Sequence, residues 1–154
     1  MNLIDAVKSQ NREEAKHILE QNPEAINQPD ERGFTPLLYA TYTGQTALVD
    51  YLMKFHPDVN AQDVTGNTAL MGVSFKGNLD MAELLLKHGA DVNLSNKKGA
   101  TAMIYAVSYN QPDMVKLLLS HGADISIKDQ DGLSARAHAR NLGFKEIEAL
   151  VSQD

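Results

Sequence analysis

The chain has 154 residues, 43% hydrophobic and 22% charged, which suits one folded domain with a buried core and excludes a disordered chain. It contains no cysteine, so disulfides and thiolate chemistry are excluded, as suits a reducing compartment. Its net charge of −6 and the lack of any basic run argue against nucleic acid as a partner, since phosphate neutralisation dominates that affinity.

In chain order, the first segment reads LIDAVKSQNREEAKHILEQNPEAINQ and predicts two short helices. Asp5 interrupts its apolar run and charged residues follow, so it reads as an amphipathic helix rather than a signal peptide. No window approaches the roughly 18 apolar residues of a membrane span. The expectation is a soluble, cytoplasmic, monomeric protein with no membrane contact.

From Asp30 a phrase begins that recurs: DERGFTPL, DVTGNTAL, NKKGATAM and DQDGLSAR, each 33 residues after the last. Glycine recurs at Gly33, Gly66, Gly99 and Gly132, and a hydroxyl at Thr35, Thr68, Thr101 and Ser134. The opening residue is Asp30, Asp63, Asn96 or Asp129, and a small apolar residue follows at Ala40, Val73, Ala106 and Ala139. Two more series run Gly44, Gly77, Asn110, Gly143 and Leu52, Leu85, Leu118, Val151. Six columns in one register identify a repeat.

Each column has a physical reason. Asp or Asn followed by Gly makes a turn with positive φ. The hydroxyl next is a helix N-cap, and Pro36 suits the first helical position after Thr35. A short apolar helix then runs, for example, from Ala69 to Phe75. A second follows from Leu79 to His88, with Gly89 and Gly122 as left-handed caps in their repeats. Pro112 opens a second helix where its missing N–H costs little. Helices this short persist only by stacking on copies of themselves.

The unit resembles the ankyrin repeat, on DERGFTPLLYATYTG and on HGADVN and HGADIS, across essentially the whole chain. The resemblance implies an all-α ankyrin-repeat solenoid of helix-turn-helix units with β-turn or hairpin tips. The units expected are an N-terminal cap at 1–29, repeats at 30–62, 63–95 and 96–128, and a C-terminal cap at 129–154. There are departures. The family's histidine after TPL is replaced by Leu38, Met71, Ile104 and Ala137, which add packing. His56-Pro57 replaces the Gly-Ala pair, so a different local loop is expected there. Arg136 stands where Leu37, Leu70 and Met103 stand, as an outer cap requires.

Catalytic and metal chemistry find no support. His88 and His121 recur in register and read as helix-end residues favoured by the dipole. A zinc site needs three or four converging ligands. Asp58, Asp91 and Asp124 also follow the period, whereas chemistry needs one site. No cofactor, metal or catalytic residue is expected.

The resemblance implies that the turn tips and the outer face of each first helix line a concave groove. Four of the nine Phe and Tyr residues fall on that face: Phe34, Tyr42, Phe75 and Tyr109. Aromatics dominate interface hot spots because they bury much area with few rotors. The alternative is packing between helices, to which Phe34 and Tyr39 are the more open. Arg32, Lys76, Lys97 and Lys98 add local positive charge, suited to steering an acidic partner. The leading expectation is a non-enzymatic module that binds another protein on this groove, as an adaptor, a regulator, or an inhibitor or immunity-type protein of a partner enzyme. A second is an enzyme or small-molecule binder, with its pocket at a dent left by Gly72 and flanked by Tyr39, Tyr105 and His138. A third is self-assembly through Phe34, Leu133 and Leu142.

Overall fold

The computed structural model describes residues 1–152; the last two residues of the expected C-terminal cap lie outside them. Ten helices follow one another among the described residues. They are α1 (Leu3–Lys8), α2 (Arg12–Gln21), α3 (Pro36–Tyr42), α4 (Thr46–Met53), α5 (Ala69–Lys76), α6 (Leu79–Lys87), α7 (Ala102–Ser108), α8 (Pro112–Ser120), α9 (Ala135–Leu142) and α10 (Lys145–Leu150). A 3-10 turn at Pro23–Asn27 follows α2.

The repeated hydroxyl sets where four of these begin. Thr35, Thr68, Thr101 and Ser134 each accept a hydrogen bond at 3.2 Å from the N–H three residues on. That satisfies one donor the first helical turn leaves free, a contribution of about 1 kcal/mol at each cap.

The helices pack in two rows. The first helices α1, α3, α5, α7 and α9 each touch the next, and α6, α8 and α10 do the same behind them. Between the rows lie Leu52, Leu85 and Leu118, all fully buried, with Leu48, Met81 and Met114 beside them. Burial of one such side chain contributes about 1.5–3 kcal/mol. Leu37, Leu70 and Met103 are no more than 2% exposed, while Arg136 in the same column is exposed. Among the described residues no further repeat packs over that position, and a charged side chain suits the exposure.

The tips are tied across repeats. Each folds back on itself, as where the Asp63 N–H donates to the Asn67 carbonyl at 3.0 Å. The last three also donate to the tip before them: Val64 N–H to the Arg32 carbonyl, Lys97 N–H to Thr65 and Gln130 N–H to Lys98, at 2.8–3.0 Å. Gly66 serves both needs, having a φ of +83° and so close an approach that a Cβ would lie 2.9 Å from the Asn96 Cα.

A second inter-repeat ladder had no place in the sequence reading. The Asn27, Asn60 and Asn93 side chains accept from the N–H of Asp58, Asp91 and Asp124 in the next repeat, at 2.7–2.8 Å. The recurring aspartates therefore sit in loop scaffolding. The loop at His56-Pro57 corrects an expectation. His56 takes a φ of +53°, the same left-handed region as Gly89 and Gly122. What differs is one bond. Ala90 and Ala123 donate to Leu85 and Leu118, and Pro57 has no N–H to donate. No helix among the described residues is long and apolar enough to cross a membrane.

Candidate functional site

The opening Asp or Asn of each tip organises the face. One oxygen of its side chain accepts from the backbone N–H groups two and four residues on, at 2.9–3.0 Å in all four copies. The other arm reaches the residue nine positions on, in the adjoining helix. The Tyr39 hydroxyl donates to Asp30 Oδ2 at 2.5 Å, Asn96 Nδ2 donates to the Tyr105 oxygen at 2.8 Å, and His138 Nε2 lies 2.6 Å from Asp129 Oδ2. In the remaining repeat that partner is Gly72, and among the described residues no donor reaches Asp63 Oδ2.

Burial alone pushes the Asp30 and Asp129 carboxyls up. The Tyr39 hydroxyl and two backbone N–H groups outweigh that at Asp30. Backbone N–H groups and His138 outweigh it at Asp129, so both end below the ordinary carboxylate value.

The missing side chain leaves a cavity of about 250 Å³ over Gly72. A Cβ built on Gly72 would meet nothing within 4 Å. The walls are mostly apolar: Phe34, Leu38, Phe75 and Tyr105, with Asp63 and Asn67 at the tip end. The expected flank is corrected here. Tyr105, bonded to Asn96 of the next tip, lines the cavity; Tyr39, bonded to Asp30, and His138, two repeats on from Gly72, do not. Phe34 stands there instead, its ring 5.1 Å from that of Tyr39.

At the rim of the cavity and beside it the aromatic residues are open, Tyr42 and Phe75 lining it and Tyr109 lying next to Phe75. Tyr42 is 61% exposed, Tyr109 51% and Phe75 39%. They are arranged diagonally between repeats. The Phe75 and Tyr109 rings meet edge-on at 4.2 Å, and the Lys76 ammonium lies 4.1 Å from the centre of the Tyr42 ring. Lys76 also donates to the Tyr42 carbonyl oxygen. Arg32 lies over Phe34 at 5.0 Å and donates to the Tyr39 oxygen at 3.2 Å. Two of the four expected cations are thus committed to rings of this chain, while Lys97 and Lys98 stand exposed on the third tip.

The remaining candidates fall apart in space. The rings of His88 and His121 each bond a carbonyl of their own helix, Leu84 at 3.0 Å and Leu117 at 3.1 Å. Phe34 belongs to the first full repeat and Leu133 and Leu142 to the last. At about 8–10 Å per stacked helix they do not form one patch, which corrects the self-assembly surface expected from them.

A stack of paired short helices, with tied tips and one open aromatic face, defines a helical-repeat scaffold. The family model for ankyrin repeats (3 copies) matches residues 3–96 and 47–129, and the chain belongs to that family. Ankyrin repeats generally mediate protein–protein interaction and their proteins are typically non-enzymatic. A comparison with curated proteins gave no match.

Two features escaped the sequence reading. In its column the Asp63 carboxylate looks like one more tip residue, although the spacing of nine to Gly72 distinguishes it. The diagonal pairing of rings was hidden because columns compare equal positions, while contacts run from one column to the next.

Proposed function

We propose that this chain is a non-enzymatic protein-binding module that engages a partner through the face made by its tips and first helices. The partner contacts would be Arg32, Phe34, Tyr42, Phe75, Lys76, Lys97, Lys98 and Tyr109. The observation that carries this is the exposure of Tyr42, Phe75 and Tyr109 side by side. Large apolar rings held open on one face mark interaction surfaces. Lys97 and Lys98 beside them favour an acidic partner, by steering the encounter. The chain acts as a monomer in the cytoplasm, as an adaptor or as a regulator or inhibitor of the protein it holds.

The test is capture from soluble extract with the tagged chain and with a Tyr42/Phe75/Tyr109 triple-alanine variant of matched helicity. A protein held by the first and lost by the second supports the reading. Equal capture by both moves the site to the second helices or the caps.

A further inference from the structure

Three of the four tips hold their opening residue against a side chain nine positions on, and in two of them that side chain is a tyrosine. The repeat between those two has Gly72 there, an open cavity in place of the ring, and Asp63 Oδ2 without a donor among the described residues. We infer that this slot accepts the side chain of a tyrosine from a bound protein, its hydroxyl donating to Asp63 Oδ2 as Tyr39 donates to Asp30. The inference rests on the same face being where a protein docks.

Size and chemistry both fit. An apolar cavity of about 150 Å³ already holds a benzene ring, and this one is about 250 Å³. Phe75 and Tyr105 give the ring apolar and edge contacts, and the carboxylate supplies the one strong acceptor. A cationic side chain fits less well. Arg32 and Lys76 already lie over Phe34 and Tyr42, so the rim carries positive charge that repels a second cation. A lone small molecule uses less of the surface than a polypeptide does, because the exposed ring of Tyr109 continues the face beyond the slot from Phe75.

The intact chain is titrated with N-acetyl-tyrosinamide and N-acetyl-phenylalaninamide while backbone amide NMR shifts are followed. Saturable shifts centred on Asn67, Ala69 and Gly72 are expected, with the tyrosine probe about tenfold tighter or more, as suits a hydrogen bond to a charged acceptor. Gly72→Tyr should abolish them, since the slot then carries its own phenol. Gly72→Ala, which fills less and favours the helix, should weaken them and serves if the larger variant does not fold. Equal affinity for the two probes, shifts that survive in folded Gly72→Tyr, tighter binding of tetramethylammonium, or no shift at millimolar probe would each overturn the slot. Loss of partner capture in the triple-alanine variant reads the face independently, so failure of the probes alone removes the tyrosine slot and leaves the face.

Discussion

Single residues in this stack carry loads that their neighbours in the period do not. His56 holds a left-handed backbone that glycine holds in the next two repeats. An L side chain there costs about 1 kcal/mol that glycine does not. His56→Gly is therefore expected to raise unfolding free energy by about 0.5–1 kcal/mol, read by urea denaturation; a loss of stability would show that the imidazole makes a contact worth more than the strain. Glycines also differ from one another. Gly44 has a φ of +71° with nothing within 4 Å of a Cβ, whereas Gly66 would drive a Cβ into the next tip at 2.9 Å. Gly44→Ala should cost only the backbone term of about 1 kcal/mol, and Gly66→Ala clearly more. Equal costs in urea melts would mean the tips part without penalty.

At the level of elements, the period carried most of what there was to read. It placed one pair of helices at Ala69–Phe75 and Leu79–His88, and they run Ala69–Lys76 and Leu79–Lys87. Caps and turns are local chemistry, so an eight-residue phrase suffices to announce them. What joins one unit to the next is not local. The Asn27, Asn60 and Asn93 ladder links side chains to amides 31 residues away, and polar residues in loops give no sign of it. The Gly72 dent was legible as a gap in a column. Of its walls only Tyr105 was legible, because Phe34 enters from the preceding tip while Tyr39, nearer in the column, turns back to Asp30. Tyr42, Phe75 and Tyr109 are exposed at the helix ends, whereas the engagement of Lys76 with Tyr42 depends on a diagonal that no column displays.

For the whole molecule, a stack stabilised only by nearest neighbours frays from its weakest end. Asp124 and Asp129 lie at the C-terminal end, and both carboxyls are held below their ordinary value. Ser126 lowers the first through its hydroxyl and N–H. At the second, N–H groups and His138 outweigh the opposing effect of burial. A carboxyl lowered on folding stabilises the native state above its unfolded value of about 3.9, and that contribution is lost as pH falls through the folded value. Stability should therefore drop on acidification below about pH 4, with amide exchange rising first in α9 and α10. Asp129→Asn should reduce the drop, since Asn96 shows that an amide serves the same turn. Stability that rises between pH 5 and pH 3 would contradict the sign.

The protein-binding face is tested most directly by an amide NMR footprint of the captured partner, or of the segment of it that binds, on the intact chain. The expected footprint runs over the tips and the ends of α3, α5 and α7, strongest at Tyr42, Phe75 and Tyr109 and reaching Lys97 and Lys98. A footprint confined to α4, α6 and α8, with the three rings unmoved, would place binding on the opposite side of the stack and contradict the account.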